Sequence, residues 1–149
     1  MSNKFTQQQL YDFLVKIDKD YPVPLSQKVK LLDYSKKLYD KAHINVVIED
    51  GKIISLVAGY TKNLIDNIAF IALVGTVADA RGKGHAEKLI HEFIAHCCDS
   101  RIGGIHLYTT KENSAAISMY SKIGFVDYIT KNEPRPNDVH LVYWIKEKI

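Results

Sequence analysis

The sequence predicts an α/β fold, one mixed sheet covered by helices, with its elements in the order ααββ-βαβαββ. Three observations carry that prediction. Residues 68–74 are a continuous apolar run, the pattern of a strand buried on both faces. A glycine-containing loop, residues 75–86, then leads into a helix. Its apolar Ala86, Leu89, Ile90, Phe93, Ile94 and Cys97 recur as one uninterrupted face. Upstream, two β-branched runs flank Asp50-Gly51-Lys52, a strong hairpin signal.

Taken in order, the chain opens with a capping box, Thr6 as cap and Gln9 reaching back, before Leu10, Phe13, Leu14 and Ile17 at helical spacing. No strand is legible ahead of that helix, and residues 1–5 have room for a stub at most. Pro22 and Pro24 break the helix, because proline removes a donor and biases its predecessor away from the helical region. Ser26 is expected to cap a second helix running from Gln27 to about Lys41, with Leu31, Ser35, Leu38 and Ala42 along one face. Residues 44–49 and 53–60 are the two hairpin strands, and residues 61–67 form a polar turn into the central strand. After the Gly103-Gly104 break, residues 105–109 form another strand. Asn113 or Ser114 caps a short helix, Gly124 ends it in a left-handed turn, and Phe125 opens a last pair of strands, 126–130 and 139–145. The loop 131–138 joins them. There are no repeats or low-complexity tracts. A single domain over residues 1–149 is expected, with a helical part at 1–43 and a core at 44–149.

Composition narrows the function classes. Apolar residues make up 46% and charged residues 25%, the balance of an ordinary globular protein. The formal charge of +3 is scattered along the chain, too mild to suggest nucleic acid or a membrane surface as partner. Cys97 and Cys98 are neighbours in a helix, where no unstrained disulfide forms, and no second pair offers a zinc site. They read as reduced packing residues. No signal-peptide pattern, long apolar stretch or lipidation motif is visible, so a cytoplasmic location is expected.

A buried strand, a loop carrying Arg81, Gly82 and Gly84, and a helix N-terminus converge on one spot. Their backbone N–H groups and helix dipole suit a phosphate. A P-loop is excluded, because Gly84 follows Lys83 where a hydroxyl should hold magnesium. A dinucleotide fingerprint is excluded as well, because Glu87 stands where its third glycine belongs. What fits is R-x-x-G-x-G/A, as Arg81, Gly84 and Ala86. This resembles the pyrophosphate motif of the GNAT superfamily, the acetyl-CoA-dependent N-acetyltransferases. A second constellation, Asn113, Ala116, Tyr120, Gly124 and Phe125 spaced as N-x-x-A-x-x-x-Y-x-x-x-G-F, is similar to that family's other signature. The resemblance covers about residues 44–145 and leaves out the first forty.

The resemblance implies a mostly antiparallel sheet splayed at its middle, with acetyl-CoA as co-substrate and no metal. It implies that the backbone of Val74, Gly75, Thr76 and Val77 faces the acetyl and pantetheine groups. Arg81, Gly82, Lys83, Gly84, His85 and Ala86 would hold the diphosphate, and Asn113 would contact the arm, cap the helix, or do both. Tyr120 would hand its proton to the departing thiolate, although a core tyrosine is the plain alternative. No motif marks the base. Asp66, Glu49, His106 and Tyr108 are candidates by location, whereas His91 and His96 sit on the polar helix face and read as solvated. The acceptor pocket is expected between residues 20–25 and the loop 131–138, with Tyr21 as an apolar wall and Arg135 as a rim charge. A small-molecule amine is the expected acceptor. A protein amine and a non-catalytic acyl-CoA-binding module stay open, and a homodimer is compatible with either.

Overall fold

The computed structural model describes residues 4–21, 23–130 and 136–146. Helices α1 (Gln7–Ile17) and α2 (Leu31–Lys41) precede strands β1 (His43–Glu49), β2 (Lys52–Tyr60) and β3 (Ile68–Thr76). Then come α3 (His85–Asp99), β4 (Gly104–Thr110), α4 (Ser114–Ile123), β5 (Val126–Asp127) and β6 (Asp138–Trp144). The six strands form one sheet in the order β1-β2-β3-β4-β6-β5. Only β3 and β4 run parallel, because α3 carries the chain across between them.

Two cores, one on each face, hold the sheet between helices. Leu89, Ile90, Phe93 and Cys97 of α3 pack with Ala69, Ile71, Ile105 and Leu107. On the opposite face, Leu10, Phe13, Leu14 and Ile17 of α1 and Leu38 of α2 cover Leu56, Ala58 and Leu73. Within β3, Ala69 and Ile71 join the first core and Leu73 the second, whereas Ile105 and Leu107 of β4 both join the first.

The first helix starts as predicted. Thr6 Oγ1 accepts from the Gln9 N–H at 3.1 Å, and Gln9 Oε1 accepts from the Thr6 N–H at 2.7 Å. The second does not. α2 begins at Leu31 with no side-chain cap, and residues 25–27 form a single 3-10 turn. Ser26 is engaged elsewhere. Its hydroxyl donates to Asp18 at 2.6 Å and its N–H to the same carboxylate at 2.8 Å. Among the described residues no strand precedes α1. The next-to-last strand is also shorter than expected, two residues long, with one further bond from the Tyr128 N–H to His140.

His96 departs from its expected solvated place. Its ring stacks on His43 of β1 with centroids 3.5 Å apart and planes within 1°. Burial first, and the neighbouring His96 second, push the His43 imidazole down to about 4. His91 is exposed, as its place on the helix suggests.

Candidate functional site

Strand β3 has two unlike edges. Toward β2 it pairs along nearly its whole length, from Phe70 opposite Tyr60 to Thr76 opposite Ser55. Toward β4 it pairs only at residues 68–70, and from Ile71 onward the two parallel strands part. The Val77 N–H bonds to the Ile54 carbonyl at 2.9 Å, and this sets the phase of the β2 ladder. An antiparallel ladder turns alternate residues toward and away from the partner strand. Gly75 and Val77 therefore face β2, whereas Val74 and Thr76 turn their N–H and carbonyl groups to the open edge. Both carbonyls are met there: Tyr21 Oη donates to Val74 O at 2.9 Å and Arg81 Nε to Thr76 O at 3.1 Å. Of the four backbone positions named from sequence, two present hydrogen-bonding groups to the cleft. Gly75 lines it without doing so, and Val77 lies buried outside it.

Gly75 is small for a packing reason. A Cβ there would stand 2.8 Å from Ile17 Cδ1 and 3.1 Å from Tyr21 Oη. α1 thus ends against this part of β3, and Ile17, Asp20 and Tyr21 are part of the cleft wall.

Beyond Thr76 the chain makes the glycine loop. Gly84 sits at φ +81°, a conformation that costs a side-chain-bearing residue about 1–2 kcal/mol, and nothing lies within 4 Å of a Cβ built on it. It is the N-cap of α3 and supplies no side-chain cap, so the first N–H groups of the helix face outward unclaimed. The Glu87 carboxylate in that first turn is drawn aside by Lys122 at 3.4 Å. A cavity of about 590 Å³ lies over these groups, lined by Val74 to Thr76, Arg81, Gly82, Gly84, His85, Ala86 and Asn113, among others. Lys83 is exposed and does not line it. An open glycine cradle, free helix-terminal donors and an arginine fit a diphosphate, and the open strand edge fits an amide-bearing arm. Arg81 is also paired with Asp20 at 2.6 Å, a contact that no sequence motif announces.

Asn113 Oδ1 accepts from the Ala116 N–H at 3.3 Å and caps α4. The helix closes where the Gly124 and Phe125 N–H groups both donate to the Tyr120 carbonyl. Tyr120 is 5% exposed and packs on Phe125 with ring centroids 5.5 Å apart. Burial drives its phenol above the ordinary tyrosine range. Tyr120 and Asn113 line a second cavity of about 240 Å³ in the fork between β3 and β4. A third, of about 520 Å³, continues outward between residues 23–28 and residues 136–138. Tyr21 lines all three, so it stands where the cleft's two halves meet.

The candidate bases scatter. Glu49 is exposed at the hairpin beside a separate cavity, and Asp66 is exposed in the turn before β3. His106 Nδ1 lies 2.8 Å from His140 Nε2, and Tyr108 stacks on His140 while lining the forked cavity. Arg135 lies outside the described residues. Among the described residues no group of three or more His, Cys, Asp or Glu side chains could hold a metal, and no helix is long and apolar enough to cross a membrane.

Comparison with known proteins agrees with this fold. The family model for the acetyltransferase (GNAT) family matches residues 9–125. The match reaches back through α2 and most of α1, which the motif resemblance had left out. A mycothiol acetyltransferase of Actinosynnema mirum is 29% identical over 66 residues, 44% of this chain and 22% of that protein. The aligned segment therefore spans about a fifth of that relative. A GNAT-family acetyltransferase structure from Staphylococcus aureus superimposes with a TM-score of 0.76 at 18% identity, covering 97% of this chain and 96% of the other. The PaiA N-acetyltransferase of Thermoplasma acidophilum, in complex with coenzyme A, gives 0.69 at 16% identity, over 93% and 92%. At such identities the likeness is one of fold.

Proposed function

The chain belongs to the acetyltransferase (GNAT) family, and from that premise we propose that it transfers the acetyl group of acetyl-CoA to the primary amine of a small molecule by direct attack. The supporting observation is the continuity of the cleft, from the glycine cradle past the open edge of β3 to the buried phenol of Tyr120. The outer cavity, at about 520 Å³, has the size of a small-molecule site.

Within that reading the residues divide the work. The diphosphate lies on Gly82, Gly84, His85 and Ala86 with Arg81 beside it, and Asn113 borders the arm. Val74 and Thr76 offer their N–H groups to the arm and the thioester carbonyl. One such donor on a developing oxyanion is worth roughly 2.7–4 kcal/mol of barrier. The acceptor enters as an ammonium and loses one proton, and its lone pair forms the C–N bond as the C–S bond breaks. The nitrogen sheds a second proton to water. Tyr120 gives its phenolic proton to the departing sulfur and is reloaded from solvent. One ammonium and one thioester become one amide, one thiol and one released proton. The raised pKa of Tyr120 keeps it in the donating form at neutral pH. Burial also makes the phenol a weaker acid, so its proton moves only as negative charge builds on the departing sulfur.

The test has two stages. Acetyl-CoA should raise the melting temperature, since a ligand of the native state adds RT ln(1 + [L]/Kd) to stability. An amine library with acetyl-CoA should then yield free thiol. No shift at millimolar acetyl-CoA, or a shift with no thiol from any amine, overturns the reading.

A further inference from the structure

The forked cavity and the outer cavity share five residues: Tyr21, Leu25, Lys28, Thr110 and Asp138. Apart from tyrosines, Lys28 and Asp138 are the only titratable side chains among the described residues that line either one. They come from opposite walls. Lys28 is exposed on the connection between α1 and α2, and half-buried Asp138 opens β6 opposite Thr110, the tip of the parted strand β4. One half-buried carboxylate and one exposed ammonium thus line a chamber that also reaches Tyr120 and the Val74 edge.

We propose that this charge pair selects an amine that also carries a carboxylate, with Asp138 holding the acceptor's ammonium and taking its first proton, and Lys28 holding the carboxylate. The inference rests on the acetyltransferase reading and adds its missing base. Asp138 is the less exposed of the two and shares the forked cavity with Tyr120, and its carboxylate attracts the protonated form that dominates in solution. On proton transfer the ammonium becomes the neutral nucleophile and Asp138 a carboxylic acid, which returns its proton to solvent through the outer cavity. Lys28 offers one compact positive charge, which balances a carboxylate. A phosphate monoester bears nearly two negative charges at neutral pH, and Asp138 in the same chamber would repel the excess.

The experiment compares free α-amino acids with their carboxamides and with C-terminally amidated peptides. Thiol release and the thermal shift of the CoA-saturated protein are read in parallel. At least one amino acid should act with a kcat/KM about tenfold or more above its carboxamide, the size expected of a hydrogen bond to a charged group. Lys28→Met should raise the Michaelis constant for the acid by a similar factor and leave those for the carboxamide and acetyl-CoA unchanged. Asp138→Asn should lower kcat at neutral pH and recover part of it as the pH rises toward the amine's own pKa. A merely structural aspartate would not change the profile in that way. Carboxamides or amidated peptides bound and used as well as the acids, no carboxylate-dependent shift with any of them, or a Lys28→Met protein with its preference intact would each overturn the proposal. Carboxylate-dependent binding that Lys28→Met abolishes, without thiol release, upholds the charge pair and places the failure in the transferase reading.

Discussion

At the inner end of the cleft, the proposed recognition is built from backbone. The open edge at Val74 and Thr76, the left-handed glycines at Gly82 and Gly84 and the free N-terminus of α3 converge within one stretch of chain. At the outer end it is built from side chains. Lys28 lies on the connection between α1 and α2 and Asp138 at the start of β6, and they come to line one chamber only because β6 lies beside β4. A backbone site demands small residues and fixed spacing, so it constrains the sequence locally and tolerates few changes. A side-chain site constrains only which groups face a chamber, and connections accept substitution readily. The same scaffold can keep one co-substrate and exchange acceptors.

The sharpest way to break this comparison lies at the boundary between the ends. Tyr120→Phe removes one hydroxyl and keeps the ring that packs on Phe125. Turnover should fall by roughly 10²–10⁴ while the acetyl-CoA dissociation constant stays within a factor of about two. Unchanged turnover on the true acceptor would make Tyr120 a core residue and leave the cleft without its acid.

The next largest effect tests the backbone end. Gly84→Glu sets an anion where the diphosphate would lie and should weaken acetyl-CoA on the order of 100-fold. The φ of +81° costs any side chain about 1–2 kcal/mol, so Gly84→Ala serves as the control for strain alone. The two variants should lose similar stability by denaturant titration and differ in acetyl-CoA affinity. Equal affinities would show that charge at this cradle does not matter.

What was legible in the sequence follows the same division. Arg81, Gly84 and Ala86, and Asn113 through Phe125, announce their elements because each motif position serves a local backbone need: a turn, a cap, a close approach. The phase of β3 was not legible. Which of Val74 to Val77 face the cleft depends on the pairing of Thr76 with Ser55, a relation between two strands. Ser26 has the chemistry of a helix cap, and Asp18, eight residues earlier, bonded it first. His96 has the periodicity of a solvated position, and His43 crosses over to stack on it. The chain hides Lys28, Asp138 and the Asp20 contact most completely, because charged residues in connections and at strand ends carry no pattern until the fold brings them together.

The smallest expected effect concerns that last contact and asks whether the backbone end is self-sufficient. Asp20 Oδ2 lies 2.6 Å from Arg81 Nη2, and the two side chains are 35% and 51% exposed. An ion pair so open to solvent contributes less than about 1 kcal/mol to folding. Its charge nevertheless sits beside the proposed diphosphate cradle, where it would compete for the guanidinium and repel an anionic ligand. Arg81 does not need Asp20 for its placement, since Nε is already held by the Thr76 carbonyl at 3.1 Å. Asp20→Asn should therefore leave the melting temperature nearly unchanged and tighten acetyl-CoA by roughly two- to fivefold at low salt. The gain should shrink as ionic strength rises and the Debye length contracts. Acceptor constants should stay where they were, because Tyr21 keeps its own bond to Val74. Weaker acetyl-CoA binding in this variant would mean that Asp20 orients the arginine instead of competing for it, and that the backbone end borrows a side chain from the N-terminal helices after all.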